Sequence, residues 1–162
     1  MRGTLGDVAA QREAAEHLQR TLARRFSNFL IPIVADTDVD DSELGRRHLL
    51  VVGRPATNRV SARCAAKLPV AFEAKSFSVR NETFAHPDSA VIAAGENPFS
   101  PRHSVVIYAG LGAAATWHCV QHLETEELPP AQVIAMPAGR KVARFRVPRK
   151  ATDSDPAEAG RE

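Results

Sequence analysis

Hydrophobic and polar positions follow two periods along this chain, and the switches between them mark its elements. Over residues 7–30, "DVAAQREAAEHLQRTLARRFSNFL" repeats apolar residues at Val8, Ala15, Leu18, Leu22, Phe26 and Phe29. That is helical spacing with one greasy stripe, and Asp7 stands where an N-cap would. "IPIVADTDVDDSEL" then reads as a short extended piece ending in an acidic stretch. The body begins at His48: "LLVVG" is a continuous apolar run, as a strand covered on both faces should be, and "TNRVSARCAAKL" puts Val60, Cys64 and Leu68 on one helical face. "VAFEA" is a further short strand. In "SFSVRNETFAH", Phe77 and Val79 alternate with polar residues before Asn81-Glu82, a hairpin signal. "SAVIAAGENPF" is another apolar strand ending in a turn, "HSVVIYAG" followed by "LGAAATWHCVQHL" repeats the strand-glycine-helix layout, and "AQVIAM" and "KVARFRV" close the series.

Strands alternating with helices predict an α/β fold: a Rossmann-like three-layer sandwich with a mainly parallel sheet, an inserted β-hairpin and an N-terminal amphipathic helix. The expected division is residues 1–30 for that helix, 31–147 for the α/β domain and 148–162 for a disordered tail, which is polar, proline-containing and without periodicity.

Composition adjusts this picture little. A chain of 162 residues suits one core, and 44% hydrophobic with 25% charged residues is the make-up of a soluble globular protein. No apolar run is long enough for a bilayer, so no membrane partner is expected. The charged N-terminus lacks the apolar core of a secretory signal, which would put a complete chain of this sequence in the cytoplasm. A net charge of +2 does not by itself argue for nucleic acid. The basic run "RKVARFRVPRK" spreads Arg140, Arg144 and Arg146 along a strand with Lys141, Arg149 and Lys150 around them, and without interleaved aromatics it reads as a charged edge strand. Cys64 and Cys119 fall in helices beside apolar residues, as two small buried thiols would.

In α/β proteins ligands and chemistry sit beyond the carboxyl ends of strands. That rule points to Gly53-Arg54-Pro55, Asn97-Pro98 and Gly110-Leu111-Gly112. A dinucleotide fingerprint needs three close glycines and a Walker loop needs Gly-Lys-Ser/Thr. "GRPATN" has one glycine, and "GLGAAAT" has Gly110 and Gly112 with Ala115 in third place. A ligand site on this edge would use Arg54, Asn58, Asn97, Gly110, Gly112 and Thr116. The plainer reading makes Gly53 a sharp exit from the sheet, Pro55 the first residue of a helix, and Thr57 or Asn58 its cap.

Other constellations carry less. Asp36, Asp38, Asp40 and Asp41 lack the glycine and terminal glutamate of a calcium loop and suit turns and caps. His118 and His122 sit at i, i+4 with Glu126 a turn on, but a wheel with Ala113, Trp117, Val120 and Leu123 as its apolar face sends both histidines outward, so no metal is expected. There is no G-x-S-x-G elbow, and Ser61, Ser89 and Ser104 sit in ordinary strand or helix contexts. Cys119 adjoins His118 in sequence, which in a helix keeps the two apart. No catalytic residue and no cofactor emerges.

The order of the motifs carries a resemblance. Gly53, Pro55, Asn58, Leu68, Pro69, Asn97, Pro98 and Gly110 follow one another over residues 35–136 in a way that resembles the C-terminal accessory α/β module of bacterial prolyl-oligopeptidase-like and other peptidase-like proteins. The resemblance implies a non-catalytic module whose hydrolase machinery lies elsewhere. Its partner would be a hydrolase-like domain or chain, or a second copy held through the first helix, with Leu18, Leu22 and Phe26 in the contact. Two alternatives stand beside it: a small-ligand or nucleotide-binding protein using the Gly53 and Gly110 turns, and a hydrolase component whose site another chain completes.

Overall fold

The computed structural model describes residues 5–26, 31–125, 132–139 and 141–146. A long helix α1 (Leu5–Arg25) is followed by a short α2 (Asp41–Leu44), strand β1 (Leu49–Val52) and helix α3 (Arg59–Cys64), which tightens into a 3-10 turn at Ala65–Lys67. Then come β2 (Ala71–Phe72), β3 (Phe77–Val79), β4 (Glu82–Phe84), β5 (Ala90–Glu96) and β6 (Ser104–Gly110). Helix α4 (Ala113–Thr125), β7 (Val133–Met136) and β8 (Ala143–Phe145) complete the described chain. Among the described residues no helix is long and apolar enough to cross a membrane.

The main sheet has the order β1-β6-β5-β7-β8, and among the described residues only β1 and β6 pair in parallel; β5 runs against both β6 and β7, and β8 against β7. The expectation of a mainly parallel, Rossmann-like sheet is therefore overturned. Residues 97–103 explain why. A parallel return requires a crossover of about a dozen residues or more, and this connection is too short, so β6 folds back beside β5 in antiparallel register from Ala90↔Gly110 to Glu96↔Ser104. The crossover through α4 does exist, but it lands β7 on the far side of β5. The apolar run of β5 reports two covered faces, and that property is independent of strand direction.

Strands β1, β5, β6 and β7 feed two cores by alternation. Val91, Ala93, Val105, Ile107, Ala109, Val133 and Ala135 join Val60 and Cys64 of α3 on one face. The small antiparallel sheet β2-β3-β4 closes that face with Phe77 and Phe84 stacked at 4.9 Å. Ala90, Ile92, Tyr108 and Ile134 point the other way, toward Ala115, Cys119 and Val120 of α4 and Ala14 and Leu18 of α1. The hairpin expected at Asn81-Glu82 is β3-β4, turning through Arg80 at φ 54.

Helix α1 is longer at its start than expected, so Asp7 lies within it and does not cap it. Its buried face is Ala14, Leu18 and Thr21, flanked by Ala15 and Leu22, whereas Val8 and Phe26 are 56% and 57% exposed. Half of the stripe read from the sequence, Ala15, Leu18 and Leu22, is thus packed against the protein's own sheet and α4. Strand β8 is an edge, with Arg144 exposed. Phe29, Arg140, Arg149, Lys150 and the tail at 148–162 lie outside the described residues.

Candidate functional site

Parallel pairing of β1 with β6 brings the turns after both strands to one end of the sheet, and the first of them is Gly53. It adopts φ 114, a conformation that side chains disfavour. A Cβ there would also meet the Gln11 side chain of α1 at 2.8 Å. The hollow of this turn is filled from within: Gln11 Nε2 donates to Thr57 Oγ1 at 2.7 Å. Pro55 belongs to the turn, and α3 begins only at Arg59, so proline does not open the helix. Asn58 caps it instead, its side chain accepting from Ser61 N at 2.9 Å and donating to Val52 O at 3.3 Å, while Ser61 Oγ donates to Gly53 O at 2.6 Å.

An anion at such a turn would take the N–H groups that open α3 and a nearby cation. Both are already engaged. Arg59 N donates to Asp36 Oδ2 at 2.6 Å, so the chain's own carboxylate holds the anion position, and Arg54 donates to Ala74 O at 2.6 Å.

The second turn serves packing. A Cβ on Gly110 would lie 2.2 Å from Thr116 N and 2.5 Å from Ala115 C, so the glycine lets α4 settle onto the end of β6. Thr116 is buried; its Oγ1 accepts from Gly110 N at 3.1 Å and donates to Gly112 O at 3.1 Å. Arg54, Asn58, Gly110, Gly112 and Thr116 do share this end of the molecule.

Asn97 does not. Because β5 is antiparallel, its carboxyl end lies where β6 begins, a full strand length from Gly110. Asn97 is completely buried there and ties two loops together. Its Nδ2 donates to Leu44 O at 2.8 Å and to Arg47 O at 3.1 Å, and its Oδ1 accepts from Phe99 N at 3.0 Å. The Arg63 guanidinium lies 4.3 Å from the centre of the Phe99 ring and pairs with Asp41. Asp40 caps α2, accepting from Glu43 N at 2.9 Å.

That same end carries a side-chain cluster that the sequence reading passed over. His48, just before β1, has its Nδ1 2.9 Å from Ser104 Oγ and accepts from Ser104 N at 3.0 Å. Its ring stands edge-on to that of His103, centroids 5.0 Å apart, and His103 Nδ1 lies 3.2 Å from Ser100 Oγ. The signal for the cluster was a repeat: "RRH" and "PRH" each precede an apolar strand directly, and parallel strands bring such flanks side by side. A serine hydroxyl on an imidazole suggests nucleophile activation. Here, however, the backbone N–H of the same serine also occupies Nδ1, so that nitrogen is the acceptor and the neutral ring carries its proton on Nε2.

Helix α4 turns a face made of Ala115, Thr116, Cys119 and Val120 to the core, while Ala113 is exposed. The wheel read from the sequence was rotated from this, so only His118 points outward and His122 is half-buried. Among the described residues, no three of His, Cys, Asp and Glu come together as a metal-holding group. Both cysteines are free and buried. Burial pushes the Cys64 thiol up to about 11 and the Cys119 thiol up to about 12.

Thiolate is the reactive form, so neither cysteine is expected to react with a disulfide-exchange reagent in the native protein at about pH 8. Unfolding in guanidinium should release two equivalents at once. Rapid labelling of even one native thiol would contradict this arrangement of α3 and α4.

Compared with protein-family models, with curated proteins and with solved structures, the chain matches none.

Proposed function

We propose that this protein is a non-catalytic interaction module that works beside a hydrolase-like chain. One observation carries the reading: the turns at the carboxyl end of β1 and β6, where α/β proteins hold ligands, are occupied by the chain's own Gln11, Asp36 and Thr116. The motif order behind the peptidase-module resemblance supports it from another side. Gly53, Asn58, Asn97 and Gly110 each have a structural duty, as a left-handed turn, a helix cap, a loop tie and a close contact. A pattern made of such residues specifies a fold, and it would persist in a module that performs no chemistry.

A second reading, a hydrolase component completed by another chain, draws on the contact between Ser104 and His48. The double use of Nδ1 weighs against it, and both residues are exposed to water, which would quench a nucleophile of this kind.

The test is cross-linking in the host followed by native mass spectrometry, with ester hydrolysis measured on the purified chain. The expected result is a complex with a polypeptide carrying hydrolase machinery, weakened by Phe26→Asp in a chain that still folds. Cross-linking to no polypeptide overturns the reading. So does a small molecule released on denaturation and lost in Arg54→Ala and Gly112→Val, or ester turnover that disappears in Ser104→Ala.

A further inference from the structure

The loops that enter β1 and β6 bring Arg46, Arg47 and His48 beside Arg102 and His103, and all but the half-buried His103 are exposed. Two features make this more than a charged surface. The loops are held in place from below, because the buried amide of Asn97 bonds Leu44 O and Arg47 O in one loop and Phe99 N in the other. The tautomer of His48 is also fixed: Ser104 N–H on Nδ1 makes Nε2 a donor even in the neutral ring. A donor at that nitrogen disfavours a metal ion, which needs the lone pair, and favours an anion.

Charge decides which anion. The Asp40 carboxyl is held below the usual carboxylate range by the Glu43 N–H and the Ser42 hydroxyl, with the charge of Arg46 adding to this. Asp40 therefore partly offsets Arg46, and Asp41 is committed to Arg63. Arg47 and Arg102 remain as two cations on neighbouring loops, flanked by imidazole and hydroxyl groups. Their formal charge matches a dianion, and guanidinium forks suit tetrahedral oxyanions.

We infer that the neighbouring loops carrying Arg47-His48 and Arg102-His103 form a binding site for a phosphate dianion. The site lies at the opposite end of the sheet from the turns discussed above, so it stands whether or not the interaction-module reading holds. The same chemistry is offered by free phosphate and by a phosphate monoester on a larger molecule, and the experiment separates them.

The purified chain is titrated in phosphate-free, low-salt buffer with inorganic phosphate and, separately, with O-phosphoserine. Heat and the imidazole NMR signals of His48 and His103 are followed. The expected result is saturable binding at one site per chain that shifts both histidines. It should weaken about tenfold or more in an Arg47→Ala, Arg102→Ala double variant whose circular dichroism and melting are unchanged, as loss of two charge-assisted contacts implies. Equal or tighter binding of O-phosphoserine identifies an esterified phosphate as the ligand. Preference for inorganic phosphate identifies the free anion. Non-saturable response to both, or undiminished binding by the double variant, overturns the site.

Discussion

Gly110→Ala is expected to cost the protein about 4 kcal/mol, combining overpacking with the loss of a buried hydrogen bond. The added methyl would lie 2.2 Å from Thr116 N, 2.5 Å from Ala115 C and 2.7 Å from Ala115 Cβ. Two of these are backbone atoms of a helix, which cannot swing aside as a side-chain tip can. Helix α4 must move as a body, carrying Ala115, Cys119 and Val120 away from Ile92 and Tyr108. The movement also pulls Thr116 Oγ1 from Gly110 N. A domain of this size holds about 5–15 kcal/mol in all, so the variant should unfold at much lower urea concentration, or fail to accumulate. Urea titration followed by Trp117 fluorescence reads this directly, since Trp117 lies on α4 against the His17 ring of α1. A loss below about 1 kcal/mol would mean that α4 rides loosely on the sheet, contrary to the tight packing expected of a core.

The elements of this fold were legible because local patterns specify them. Nearly every apolar run became a strand or helix in the expected order, and Asn58 became the cap that its position suggested. Strand direction was not written in those patterns. Val91 and Ala93 face one core while Ala90 and Ile92 face the other, and this burial is the same whichever way β5 runs. The one available clue was the length of the link from Glu96 to Ser104, too short to cross the sheet. The phase of α4 was missed for a related reason: Trp117 drew the wheel toward Ala113, and alanines at 113, 114 and 115 are equally apolar, so they did not correct it.

The error in direction carried through to the site. Taking β5 as parallel put Asn97 at the ligand edge with Gly110, whereas the true topology sends it to the other end, beneath Arg47 and Phe99. The meeting of His48 with Ser104 was missed for a separate reason, that local patterns do not say which strands are neighbours. Those residues are 56 positions apart and become neighbours only through the β1-β6 pairing. What fills the turn at Gly53 was illegible for a different reason. Its occupants, Gln11 and Asp36, come from segments with no sequence mark of that role, and tertiary packing alone brings them in.

Asn97 therefore gives the sharpest test of the topology. Asn97→Ala removes three hydrogen bonds in a fully buried place and leaves the carbonyls of Leu44 and Arg47 without that donor, a loss expected at about 3 kcal/mol. Asn97→Asp is nearly the same shape, yet it should be worse at neutral pH. Its carboxylate can still accept from Phe99 N, but it turns a negative charge on two carbonyl oxygens with no proton to offer them. Folding then raises the carboxyl above its unfolded value, because both desolvation and the carbonyl dipoles favour the protonated acid. The folded state binds the proton more tightly than the unfolded one, so stability falls as pH rises from the unfolded value through the folded one and is regained on acidification. Measured by urea unfolding between about pH 4 and 7, the gap between Asn97→Asp and wild type should narrow toward acid, while that of Asn97→Ala stays level. A carboxyl ending in solvent at a ligand edge would show neither the deficit nor the narrowing, and Asn97→Asp would then match the native protein throughout.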